Sequence, residues 1–177
     1  MENCQPDCKS LFNEFTCCSM VLKEGDKAPE FTGTDETGKK ISLSDFKGNS
    51  AVVLYFYPKA ETPGCTAEAK CFRDNWDSIK QLGAVVLGVS SDTEEKQKSF
   101  KDHHNLQFTL LSDRDRKIRD AYGAKGFLIP ARMTFVIDRE GVIRGIHNSQ
   151  MDPKGHIDFA IEKLKSLAPA ETGKATG

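Results

Sequence analysis

The sequence predicts an α/β fold built on a mixed central β-sheet with helices on both faces. Three observations carry this reading. Two continuous apolar runs, AVVLYFY (51–57) and AVVLGVS (84–90), have the length and composition of fully buried strands. Helical stretches follow each of them, and crossover helices place the strands they join in parallel. Towards the C-terminus, MTFVID and VIRGIH flank the turn REG, a β-hairpin that adds an antiparallel pair.

Taken in order, residues 1–19 are polar and unlike the rest, and domain patterning begins at Met20. The expected organisation is a flexible N-terminal extension (1–19), one domain (20–168) and a small polar tail (169–177) too poor in apolar residues to fold. ISLSDF (41–46) offers a short strand and a turn. Residues 63–81 read as one helix, with Thr62 as N-cap and Pro63 at its first position. A polar helix follows over 92–104, capped by Ser91 or Asp92, then a short strand in FTLL and a short helix over 114–122. Residues 154–167 form the last helix, with Ile157, Ile161 and Leu164 on one face. A thioredoxin-like architecture has this order.

Composition excludes several functions. The formal net charge of −1 implies neither nucleic acid nor an anionic membrane as partner. No apolar run approaches the ~18 residues that span a bilayer. Six cysteines are present, and four of them (Cys4, Cys8, Cys17, Cys18) crowd the first 18 residues. Disulfide staples would be spread out, so a reducing compartment and free thiols are expected, with cytoplasm as the default. The CQPDC and CC spacings lack the pattern of a zinc site, and no Gly-rich phosphate loop is present. His103 and His104 close a helix where cations are favoured, and His147 and His156 read as structural or surface residues. No metal, haem or flavin is expected.

The chemistry points to Cys65. It falls in the first turn of its helix, where backbone N–H groups lack intrahelical partners and the dipole is positive. Both favour a thiolate, the nucleophilic form of the side chain. A dithiol exchanger carries Cys-x-x-Cys at such a junction; here Thr62 holds the first position, in TPGC. A hydroxyl forms no disulfide but can bond an oxygen-bearing substrate. That fits reduction of a peroxide O–O bond, leaving sulfenic acid on the sulfur.

PKAETPGCT resembles the peroxiredoxin signature Pro-x-x-x-Thr-x-x-Cys, met by Pro58, Thr62 and Cys65. GDKAPEF, FYPK, FRDN, GVSSD, TLLSD and TFVIDREGVIR extend the resemblance over residues 21–167 to the Q type, the bacterioferritin-comigratory group. IPARMTFVID and NSQMDPKGHID resemble its plant and cyanobacterial branch, which keeps a plastid open as compartment. The resemblance implies a thiol-dependent peroxidase acting on hydrogen peroxide and organic hydroperoxides. Cys65 would be the peroxidatic nucleophile, Pro58 its shield, Thr62 the peroxide-binding hydroxyl and Arg132 the active-site cation. A guanidinium there would hold the thiolate and stabilise charge on the departing oxygen. Gly64 keeps the sulfur approachable, and its N–H and that of Cys65 assist. Glu68 either orients the arginine or is an exposed first-turn acid. A monomer recycled by thioredoxin, or by glutathione and glutaredoxin, is expected.

Two-cysteine members of the Q type place a resolving cysteine five residues after the first, here Lys70; Cys71 is one residue later. Helical geometry sets it about 9 Å along the axis from Cys65, beyond the ~7 Å that a disulfide allows between Cα atoms. Pairing needs the first turns to unwind. Cys71 as resolving thiol, Cys71 as an inert residue, direct attack by an external thiol, and a reach from the N-terminal cysteines all stay open. Two other functions on the same fold are a thiol–disulfide oxidoreductase and a redox sensor or holdase.

Overall fold

The computed structural model describes residues 21–126 and 131–167. The expected extension, with its four cysteines, and the expected tail lie outside the described residues. Seven strands form one sheet: β1 (Thr32–Asp35), β2 (Lys40–Ser42), β3 (Ala51–Phe56), β4 (Ala84–Ser90), β5 (Thr109–Ser112), β6 (Met133–Ile137) and β7 (Ile143–Asn148). Their order across the sheet is β2-β1-β5-β4-β3-β6-β7. The β3–β4 and β4–β5 pairs are parallel, and β3–β6, β6–β7, β1–β2 and β1–β5 are antiparallel. This is the mixed sheet the sequence predicts.

Alternation along β3 builds two cores. Val53 and Tyr55, with Tyr57 beyond the strand, enter one cluster, and Val52, Leu54 and Phe56 enter the other. The first cluster is closed by α1 (Pro63–Asp74), α2 (Trp76–Gln81), Phe100 of α3 (Glu94–His104) and α5 (Pro153–Leu167). The second is closed by α4 (Lys117–Ala121) and the 3-10 turn Leu43–Phe46. Because β3 is central and buried on both faces, its C-terminal end is firmly placed. The chain leaves it into the Tyr57–Thr62 loop, at the sheet edge where α/β folds put their ligands.

Four local readings of the sequence are corrected. The helix expected over 63–81 is two helices, broken at Asn75, whose side-chain amide donates to the Cys71 carbonyl at 2.9 Å. A side chain that satisfies a helical carbonyl competes with continuation of the helix. α3 begins at Glu94 with Thr93 as N-cap, its hydroxyl accepting from the Lys96 N–H at 3.4 Å. Asp92 is engaged elsewhere, accepting from the Ala60 N–H at 2.8 Å and the Ser90 hydroxyl at 2.9 Å. α4 begins late, after Arg116 in a left-handed turn (φ 60°), because Asp113 takes the N–H groups of Ile118 and Arg119. β1, in the polar sequence TGTD, was not expected at all; it forms between β2 and β5.

One close approach sets the spacing beneath the site. A Cβ on Gly88 of β4 would lie 2.7 Å from the Tyr55 hydroxyl oxygen and 2.8 Å from Leu110 Cδ2. Both neighbours are fully buried. Gly88→Ala is expected to cost about 1–3 kcal/mol through overpacking. The check is a lower denaturant midpoint at unchanged slope.

Candidate active site around Cys65

Cys65 is the third residue of α1 and is 2% exposed. Arg132, immediately before β6, is 4% exposed and reaches it from the other side. Arg132 Nη2 donates to Cys65 Sγ at 3.5 Å, and Nη1 donates to the Gly64 carbonyl at 3.4 Å and to the Glu68 carboxylate. One guanidinium therefore spans the sulfur, the helix's first turn and an acid one turn on. Gly64 permits this: a Cβ there would stand 3.1 Å from Arg132 Nη2.

Burial decides between the two readings of Glu68. Its side chain is fully buried, which excludes an exposed first-turn acid. Burial pushes its carboxyl up to about 8, while Arg132 pulls in the opposite direction. Desolvation works against the charge on Arg132, but Glu68 and Cys65 outweigh it and its pKa is raised. Behind Glu68 lies His156, with Nδ1 3.8 Å from Glu68 Oε1. The ring is held neutral between two partners. Nδ1 accepts from the Thr134 hydroxyl at 2.8 Å, and Nε2–H donates to the Ser149 carbonyl at 2.8 Å. Burial carries the imidazole down to about 4.

The loop before α1 is anchored along its length. The Tyr57 carbonyl accepts from Arg119 Nη2 at 2.8 Å, and the Ala60 N–H donates to Asp92. The Glu61 carboxylate meets His103 and His104 at 3.3 and 3.2 Å, with Glu61 itself in the left-handed region (φ 62°). Thr62 occupies the N-cap position, but its hydroxyl does not cap the helix; it donates to the Lys59 carbonyl at 3.0 Å. Pro58 and Thr62 are half-buried.

Sequence reasoning missed Arg119. In KIRDAYG it reads as a solvated charge, yet it is 3% exposed. Its Nη1 donates to the carbonyls of Ala131 (3.1 Å) and Ala124 (3.3 Å), while Nη2 holds Tyr57. It thus ties the peptide unit before Pro58 to the one before Arg132. The only hint in the sequence is its position between Ile118 and Tyr122, both of which face the core.

Cys71 is half-buried and packs against the same core cluster as Cys65, within electrostatic reach of Lys154 and Asp158 on α5. Burial pushes its thiol pKa up. Lys70, at the family position, is exposed. Trp76 lies in α2 and is half-buried.

The chain matches the model of the AhpC/TSA family over residues 24–146. It is 46% identical to a protein of Suaeda salsa named peroxiredoxin Q, chloroplastic, covering 84% of this chain and 72% of that one. A protein of the same name from Sedum lineare is 44% identical, with 82% and 80% covered. Among solved structures, peroxidoxin BcpB from Mycobacterium tuberculosis superposes with a TM-score of 0.79 at 34% identity, over 84% of this chain and 99% of the other. A mutant of PrxQ from Xylella fastidiosa gives 0.76 at 30% identity, over 84% and 98%.

Two predictions follow from the geometry. Arg119→Met leaves three carbonyls without their donor, and buried groups left unpaired cost about 1–3 kcal/mol each. A large drop in the denaturant midpoint is expected, with partial recovery in Arg119→Lys. If Arg119 also positions the site, the alkylation rate of Cys65 in the folded protein changes in the lysine variant too.

The second prediction concerns pH. The folded-state pKa of His156 is about 4, against 6.5 for the free group, so the unfolded chain binds more protons in between. The contribution of this ring to stability is full above about 6.5 and is lost as pH falls towards about 4. His156→Gln is expected to flatten the wild-type loss over that window, read from unfolding curves at each pH.

Proposed function

We infer the reaction cycle from one premise: the chain belongs to the AhpC/TSA family and, like its peroxiredoxin Q relatives, is a thiol-dependent peroxidase. Its substrate is a peroxide, and its electrons come from a thiol reductant. The residue roles and the order of steps are our reading. The observation that carries them is the Arg132 guanidinium, donating to the Cys65 sulfur from a position locked by Glu68.

In the first step the Cys65 thiolate attacks one peroxide oxygen along the O–O axis. The O–O bond breaks, its electron pair leaves on the distal oxygen, and that oxygen takes a proton to become water or alcohol. The sulfur retains the proximal oxygen as sulfenic acid. Arg132 stabilises the thiolate beforehand and the charge developing on oxygen in the transition state. The Thr62 hydroxyl already spends its proton on Lys59, so it offers lone pairs to the O–H of the peroxide. The first-turn N–H groups of Gly64 and Cys65 have no helical acceptor and face the same developing charge. Pro58 limits access of water to the sulfur.

A thiol then condenses with the sulfenic acid, expelling water and forming a disulfide. Cys71 fills this role if α1 unwinds, and the break at Asn75 allows α1 to do so apart from α2. Otherwise an external thiol attacks directly. In both cases a thioredoxin-like or glutathione-linked donor restores the thiol by exchange. The plant relatives are named chloroplastic, which supports a plastid over the cytoplasm expected by default.

The cycle makes separable demands on three residues. Cys65→Ser is expected to abolish peroxide consumption; retained activity would defeat the reading. Arg132→Met should slow the peroxide step by about 10²–10³-fold, the cost of losing one charge-stabilising donor. Wild type treated with one equivalent of peroxide should show a Cys65–Cys71 peptide by mass spectrometry, and Cys71→Ser a persistent sulfenate. Unchanged turnover of Cys71→Ser with a thioredoxin donor would assign resolution to the external thiol.

A further inference from the structure

We propose that Glu61, His103 and His104 form a binding site for one divalent transition-metal ion, zinc being the best match, which clips the loop before Cys65 to the end of α3. The three side chains come from two segments 42 and 43 residues apart and present ligand atoms within 4.8 Å of one another. Two imidazoles and a carboxylate, with room left for water, are a donor set that suits zinc and its neighbours rather than magnesium or calcium.

The distances favour an ion over bare contacts. His103 Nδ1 stands 3.3 Å from Glu61 Oε1, and His104 Nε2 stands 3.2 Å from Glu61 Oε2. Charge-assisted N–H···O bonds run to about 2.7–2.9 Å. Ligand atoms around a tetrahedral ion with bonds of about 2.0–2.1 Å lie roughly 3.3 Å apart. The two nitrogen–oxygen separations therefore match the edge of such a coordination polyhedron.

The ligands are also held in place from behind. The His104 ring is only 13% exposed, sits edge-on to Phe100 at 5.0 Å, and stacks on His103 at 5.0 Å with 16° between planes. Arg73 Nη1 fixes the His104 carbonyl at 3.1 Å. Glu61 holds its left-handed backbone without being glycine, a conformation that side-chain-bearing residues rarely adopt. From there its carboxylate reaches α3 while the next residue, Thr62, takes the N-cap position of α1.

An ion here would pin the start of α1. The effect on turnover rests on the proposed cycle, in which α1 unwinds to bring Cys71 to Cys65; the binding itself does not. Zinc bound at this site is therefore expected to leave the peroxide step in place and slow disulfide formation.

The test uses the full chain, reduced, titrated with zinc chloride against a chromophoric zinc chelator, with imidazole nitrogen resonances followed by NMR. Wild type is compared with His103→Ala/His104→Ala and with Glu61→Gln; all carry the same six thiols, so any difference reports this cluster. Wild type should bind one zinc more than the double variant, with His103 and His104 signals shifting together, and Glu61→Gln should weaken that zinc at least about tenfold. Equal stoichiometry in wild type and the double variant, or unshifted imidazoles, would overturn the site. The rate of disulfide formation with and without zinc tests the coupling. Zinc bound at the imidazoles with an unchanged rate would overturn the clip and leave both the site and the peroxidase reading standing.

Discussion

The buried pair of Arg132 and Glu68 is the interaction on which the site depends. A guanidinium that is 4% exposed survives only beside an anion or a set of acceptors, because burying an unpaired charge costs several kcal/mol. Glu68 supplies the anion from within the helix that carries Cys65, one turn on. The same helix thus brings the sulfur and the counter-ion of the sulfur's cation. Gly64 completes the arrangement by leaving no Cβ where the guanidinium must lie. Loss of Glu68 would strand the arginine rather than merely remove an ion pair, and the sulfur would lose its neighbour as a result.

Around this pair burial works against charge on acid and base alike, and Glu68 has the Arg132 guanidinium pulling the other way. Burial raises Glu68 and depresses His156, which face each other across 3.8 Å. The neutral imidazole is fixed as the Nε2–H tautomer by Thr134 and Ser149. It presents a lone pair, not a proton, towards the hydroxyl of Thr134. The protein therefore keeps one firm positive charge at the sulfur, on Arg132, and lets no histidine add a second. Arg119 holds the geometry by different means, grasping backbone carbonyls instead of a carboxylate. Its work is mechanical: it joins the two segments whose side chains must meet.

What could be read in the sequence follows from range. The buried strands β3 and β4, the β6–β7 hairpin and α5 announce themselves through local periodicity, which needs no tertiary information. Cys65 and Thr62 stand out because a helix start has its own chemistry. β1 did not, since TGTD has no apolar alternation and becomes a strand only because β2 and β5 lie on either side of it. The break at Asn75 rests on one side-chain hydrogen bond, and Asn is common inside helices. Glu68 stayed open between two readings and Arg119 was missed for one reason: the burial of a charge is set by partners 64 and 12 to 62 residues away, which no window reveals. The roles of Pro58 and Arg132 came from family resemblance, and residue spacing alone would not have supplied them.

The interruption at Asn75 has a mechanical consequence. Any unravelling that starts at the first turn of α1 meets a boundary after 12 residues and need not spread. Ile79 of α2, fully buried, stays seated on β4 as a cover. The sheet would then keep its lid while the reactive helix is loose. In the branch of the proposed cycle where α1 opens to admit Cys71, such a firebreak keeps the apolar floor beneath hidden from neighbouring molecules and each opening reversible.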